Sequence, residues 1–256
     1  MRIIEIAERS QQGTTRPFKC RGEDDGYYYV KGRSAGYLSL CREWVAGELA
    51  RRWGLPIAPF SIVEVPAALI KGSLLEDAVD LGIGPAFGSR LVSGASELRW
   101  DDVQSDEIPD DLRAKIFLFD WWVANPDRSL YPIAGNPNML WAPTQHQLSM
   151  FDHNLAFSME QMPETLIEYG EQHVFGPRLL QQELAFQLDE SSEAPLIEAT
   201  AKLEVFWSQV SPVFGEIWDA LPEEWTEAAT EFNQDEIHSH LNRVTRDDFW
   251  GGEIEH

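Results

Sequence analysis

The stretch FDWWVANPDRSLYPIAGNPNMLWAPTQHQLSMFDHNLAF, residues 119–157, decides the fold. Just upstream and into it, Leu112, Ile116, Phe119 and Val123 recur at helical spacing, which predicts a buried helix over 111–124. Pro126 forces Asn125 out of the α region, so Asp127 stands in a loop just past that helix. Further on, 138–141 and 148–151 read as two short strands, with the polar residues 142–147 as their turn. If Trp141 opposes Leu148 in an antiparallel hairpin, Asn138 opposes Phe151 and adjoins Asp152, with opposed Cα atoms roughly 4.5–5.5 Å apart. An amide oxygen and a carboxylate held together at the open end of a hairpin make a hard-oxygen site suited to Mg2+ carrying nucleotide phosphates. Asp127, on the neighbouring loop, is then placed to orient or deprotonate an attacking hydroxyl.

The rest of the composition is consistent with a packed protein. An apolar fraction of 43%, with ten Trp and thirteen Phe in 256 residues, supplies a core and argues against disorder. Forty-three acidic against twenty basic residues give a formal charge of −23. Such a surface repels nucleic acid and anionic membranes, while leaving room for a local basic cleft. No run approaches the ~18–20 apolar residues of a membrane span. The charged N-terminal residues do not make a signal peptide, and Cys20 and Cys41 are the only cysteines. Together these predict a cytoplasmic protein with free thiols.

Working outward toward the N-terminus, 3–6, 18–20, 27–31 and 59–65 read as strands, the second and third forming a hairpin over the turn at 23–26. The loop over 10–17 contains Gly13, Thr14 and Thr15 and serves either as a phosphate cradle or as an ordinary turn. Lys31, at the end of an aromatic strand, reaches inward to a phosphate or sits on an exposed edge to discourage pairing. A helix over 40–53 carries Cys41, Val45, Leu49 and Trp53 on one stripe and ends at Gly54. Glu43 lies off the stripe, as a solvated charge or as an ion pair that positions Lys31. Residues 81–90 hold too many glycines for a helix and are expected to cross between two lobes, with the hinge over 87–92 offering backbone near Phe87 to an adenine. The acidic segment 101–111 reads as a solvated loop.

Beyond Phe157 the pattern is helical, over 164–172, 177–188, 195–210 and 223–243, with breaks at Gly176-Pro177, Ser191-Ser192 and Pro222. Phe206, Trp207, Phe214 and Trp218 are expected in its core. His238 and His240, two apart, do not share a helix face and make a poor metal pair. Residues 251–256 are expected to fray.

A flexible loop, strand lysine, helix glutamate, hinge, loop aspartate and asparagine, and a second aspartate follow one another in the order of a kinase. More closely, Asn125-Pro-Asp-Arg128, Gly135-Asn-Pro-Asn-Met-Leu-Trp141 and Phe151-Asp-His-Asn-Leu-Ala-Phe157 resemble the HipA-like kinases, and among them the short kinase-domain proteins. Tyr29-Val-Lys31 and the segment from Glu43 to Pro56 fit the same family, and the resemblance covers roughly residues 5–220. It implies an α+β, two-lobed protein-kinase-like fold: one kinase-like domain over 1–256, with a small antiparallel β N-lobe over 1–90 and a mainly helical C-lobe over 91–250.

Residue by residue, the resemblance implies Asp127 as catalytic base, Asn138 and Asp152 as Mg2+ ligands, Lys31 on the α- and β-phosphates of ATP, and Glu43 bracing Lys31. The implied activity is phosphorylation of a Ser/Thr hydroxyl of a protein, as in a toxin–antitoxin system, with self-phosphorylation in the 10–15 loop as a further implication. Because fold does not fix substrate, a small-molecule phosphotransferase and a nucleotide-binding pseudokinase stand as alternatives. The chain's length implies that the extra N-terminal subdomain of larger relatives, or an antitoxin-like protein, is a separate partner. Eleven positions separate Asp127 from Asn138, against about five in the ordinary protein-kinase loop. Asn125 stands where that loop has a His, and residues 129–135 form a substrate-reading loop or a surface bulge.

Overall fold

A computed structural model describes residues 1–11, 13, 15–188, 195–246 and 249; Thr14, the expected break at Ser191-Ser192 and the expected frayed end over 251–256 lie outside them. The N-terminal part contains β1 (Ile3–Arg9), β2 (Phe18–Gly22), β3 (Tyr27–Lys31), α1 (Tyr37–Arg52), β4 (Phe60–Val65), α2 (Ala67–Gly72) and β5 (Gly84–Arg90). Its strands form one antiparallel sheet in the order β1-β2-β3-β5-β4. In β3, Tyr28 and Val30 turn into a small apolar cluster with Ile3, Phe18, Val63 and Leu81. Side chains alternate along a strand, so Lys31 is delivered to the opposite face. There α1 packs, with the expected stripe of Cys41, Val45, Leu49 and Trp53 buried.

The remainder comprises β6 (Ser96–Glu97), α3 (Trp100–Gln104), α4 (Asp110–Trp122), β7 (Ser129–Leu130), β8 (Gly135–Asn136), β9 (Met139–Ala142), β10 (Gln147–Met150), α5 (Leu166–Gln172), α6 (Gly176–Leu188), α7 (Pro195–Val210), α8 (Phe214–Asp219), α9 (Glu223–Ala228) and α10 (Gln234–Leu241). This is the mixed architecture that the sequence pattern implied, a small antiparallel sheet followed by a mainly helical part. One large core runs from α1 through α4 into the C-terminal helices. Trp53 stacks on Phe206 with centroids 5.8 Å apart, and Trp122 meets Trp207 edge-on at 5.4 Å. Rings of this size each bury ~150–250 Å², so these contacts hold the sheet and helices as one body. No helix among the described residues is long and apolar enough to cross a membrane.

Four expectations are corrected. Residues 87–90 are not the crossing: they lie in β5, in the middle of the sheet between β3 and β4, and the connection begins at Leu91. Glycine there serves close approach, since a Cβ on Gly88 would stand 2.7 Å from Val63 Cγ1. The segment 101–111 is not a plain solvated loop, because it contains most of α3 and the start of α4, and Val103 and Ile108 are buried. The helix foreseen over 223–243 is two helices, α10 being capped afresh by Asn233, whose side chain accepts from the Asp235 and Glu236 N–H groups. Trp218 is only partly buried, unlike Phe206, Trp207 and Phe214.

Candidate active site

The loop after α4 forms as its sequence requires. The helix stops at Trp122, Ala124 takes φ of +49°, and the Asn125 N–H donates to the Asp120 carbonyl at 2.8 Å. Asp127 follows. The hairpin of β9 and β10 has the inferred register: Trp141 pairs with Leu148, and the Phe151 N–H donates to the Asn138 carbonyl at 3.0 Å. Asn138 and Asp152 both lie at the open end of that hairpin with positive φ, +47° and +56°, which turns each side chain off the strand line.

Two clusters result. In the first, the buried Lys31 ammonium donates to the Glu43 carboxylate and, at 2.7 Å, to Asp152 Oδ1. Glu43 is not a solvated helix charge; it is 1% exposed, and its second oxygen accepts the His153 backbone N–H at 3.1 Å. Sheet, helix α1 and the segment after β10 are thereby tied through one carboxylate. Burial works against the Lys31 charge, but Glu43 and Asp152 overcome it and raise its pKa, so the amine stays protonated. Burial pushes Glu43 up against the pull of Lys31, whereas in Asp152 the effect of burial is outweighed by Lys31, which holds that carboxyl low.

The second cluster centres on Asp127. Asn136 Nδ2 and Asn138 Nδ2 both donate to its Oδ2, at 2.9 and 3.0 Å. Among the described residues no side-chain donor reaches its other oxygen, Oδ1. Burial raises the Asp127 pKa, the two amides oppose the rise, and the nearby charge of Asp152 adds to it. A partly buried carboxylate with one oxygen committed and one open is suited to accept a proton.

Beneath both clusters lies a buried network that reading the sequence missed. Asp120, wholly buried, accepts from Arg128 Nε at 2.6 Å and Asn125 Nδ2 at 2.8 Å, with His173 Nε2 at 3.2 Å. Arg128 Nη1 donates to the Asn138 carbonyl at 2.7 Å, and its Nη2 lies 3.1 Å from His153 Nε2. Burial drives His153 down to about 3, so its ring is neutral and accepts from the guanidinium. The network locks the residues flanking Asp127, Asn138 and Asp152 to α4. Its signal was present: Asp120 interrupts an otherwise apolar Phe-Leu-Phe-Asp-Trp-Trp run, where a lone charge needs a partner.

The β1–β2 loop stands at the Lys31 end of the sheet, because Phe18 pairs with Arg9 on one side and Val30 on the other. Gly13 is exposed there with φ of +74°, and Thr15 is half-buried. Phe87 pairs with Lys31 across β3–β5, is buried, and stacks on Phe60 at 5.3 Å, facing the small space that Glu43 and Asp152 also line. The inserted residues 129–135 are mostly a tight hairpin, β7 with β8. A cavity of about 400 Å³ lies between that hairpin and residues 97–101, lined by Trp100, Tyr131 and Pro132 among others. Gly135 and Pro137 face this cavity, while Asn136 and Asn138, alternating with them, turn to Asp127.

The crystal structure of a Helicobacter pylori proinflammatory kinase, CtkA, superposes with a TM-score of 0.56 at 10% identity, over 100% of this chain and 99% of that one, and so shares the fold. No curated protein matches the chain in sequence. The model of the HipA-like kinase family matches residues 3–253. Matched over nearly its whole length, the chain belongs to the HipA-like kinase family.

Proposed function

We propose that the protein is an ATP- and Mg2+-dependent kinase that transfers the γ-phosphoryl group to a Ser/Thr hydroxyl of a protein. The observation that carries this reading is the convergence of two clusters: a buried lysine held by Glu43 and Asp152, and an aspartate with one open oxygen held by two amides. Lys31 is the contact for the α- and β-phosphates, under the β1–β2 loop that carries Gly13 and Thr15, and Glu43 holds it there. The backbone after β5 takes the adenine. At the reacting end, the acceptor hydroxyl oxygen bonds to the γ-phosphorus as the bridging bond to the β-phosphate breaks. ADP leaves, and the hydroxyl proton passes to Asp127 Oδ1.

The residues present fit a magnesium ion. Asn138 commits its NH2 to Asp127, which leaves its Oδ1 turned elsewhere, and Asp152 keeps one oxygen beyond its contact with Lys31. Oxygen donors of this kind suit Mg2+. When bound, the ion neutralises charge on the phosphate oxygens. A polypeptide acceptor is favoured over a small molecule by the hairpin beside Asp127, whose tip exposes Tyr131 and Ile133 next to the 400 Å³ cavity. The net charge of −23 favours basic sequence around the acceptor hydroxyl.

Incubation of the purified protein and a cell extract with γ-labelled ATP and Mg2+ tests the reading. Label is expected in protein bands, on Ser or Thr. Label confined to the low-mass fraction identifies a small-molecule phosphotransferase. Metal-dependent thermal stabilisation by ATP without any transfer identifies a pseudokinase.

A further inference from the structure

The insertion between Asp127 and Asn138 has a chemical consequence. Residues 129–136 double back as β7 and β8, closed by the Tyr131 N–H donating to the Ala134 carbonyl at 2.7 Å. Only glycine fits at 135: its φ is +145°, and a Cβ would stand 2.6 Å from Leu130 Cα and 2.7 Å from the Ser129 carbonyl oxygen. The next residue, Asn136, is paired with Ser129, two positions past Asp127. Although Asn136 is exposed, its amide is directed back onto Asp127 Oδ2 at 2.9 Å. Asn138 donates to the same oxygen at 3.0 Å. Two donors on one oxygen fix the plane of the carboxylate and leave Oδ1 as the oxygen that can take a proton. Asn138 would also hold the metal of the proposed reaction, whereas Asn136 donates to Asp127 alone.

We propose that Asn136 is a positioning residue for phosphoryl transfer, carried to Asp127 by the 129–136 hairpin to orient the carboxylate and keep its Oδ1 directed at the acceptor hydroxyl. The proposal rests on the reading of Asp127 as the base. A hydrogen bond to a charged acceptor is short and directional, so its loss leaves the carboxylate free to rotate and its Oδ1 without a fixed aim.

The experiment compares Asn136→Ala and Asn136→Asp with the parent by steady-state ADP release during transfer from ATP to protein, which separates kcat from KM for ATP. Asn136→Asp has the same shape but cannot donate when ionised, and it sets a second carboxylate against the first. In Asn136→Ala, kcat is expected to fall about tenfold with KM for ATP unchanged. Asn136→Asp should have a lower kcat than Asn136→Ala, an order that loss of hairpin shape alone does not give. Parental kcat in Asn136→Ala, or a loss carried by KM for ATP instead of kcat, overturns the proposal. Transfer that survives Asp127→Asn refutes the base itself, whereas loss there with parental Asn136 variants refutes only the positioning role.

Discussion

Replacing Asp120 with Ala removes the centre of the buried network without touching any residue in the cleft. Arg128 is buried to 1% exposure and Asp120 to 0%, so the substitution leaves a guanidinium with carbonyl and imidazole acceptors but without its counter-charge. Asn125 and His173 each lose a partner as well. Breaking a buried pair from one side costs about 3–5 kcal/mol. For a chain of this size that lowers Tm by on the order of 10 °C. The pH dependence gives a second reading. Burial alone would push the Asp120 carboxyl up, but Arg128 and then His173 outweigh it and hold it well below the usual carboxylate range. A depressed carboxylate contributes stability that is present above its unfolded pKa, about 3.9, and is lost as pH falls through its folded value. The stability gap between parent and Asp120→Ala should therefore be constant from neutral pH down to about 5 and narrow below about 4. Denaturant unfolding followed by circular dichroism measures it. A loss under about 1 kcal/mol, or a gap that does not change in acid, would refute the claim that this ion pair anchors the loop.

Lys31→Met should leave Glu43 and Asp152 facing each other without a cation and reduce kcat/KM for ATP by about 100-fold or more, read in a steady-state ADP-release assay. Gly32→Ala places a Cβ 1.9 Å from the Leu81 carbonyl oxygen, so the end of β3 must shift; a destabilisation of about 1–3 kcal/mol is expected in thermal unfolding, with a raised KM for ATP. Burial raises the Asp127 carboxyl, so its base form is lost to protonation as pH falls, starting from a higher pH than for an exposed aspartate. The acid limb of kcat/KM should thus lie above about pH 3.9, and a rate that stays flat to that pH contradicts the assignment.

The helix stop at Asn125-Pro126 and the register of Trp141 against Leu148 were legible because proline chemistry and strand alternation are local. The same holds for the aromatic strand that ends in Lys31. Glu43 was ambiguous for the opposite reason: periodicity put it on a polar face, and only the packing of α1 beneath β3 turns that face inward onto Lys31. Gly88 reads in sequence as the mark of a crossing, since a glycine that opens a turn and one that permits strands to approach look alike there. The break between α9 and α10 was missed although Asn233 is a good cap, because the surrounding residues keep a helical pattern. Asn136 stands in the Gly135–Trp141 motif without a role legible in the sequence, its partner Asp127 being set by a two-residue ladder that no periodicity reveals.

The central claim is that Asp127 takes the acceptor's proton in a kinase cleft that binds ATP through Lys31. Its most direct measurement pairs two readouts on Asp127→Asn: transfer of label from γ-labelled ATP, and thermal stabilisation by ATP with Mg2+. Abolished transfer with nucleotide-dependent stabilisation retained is the predicted result. Transfer at the parental rate by the folded variant would contradict it.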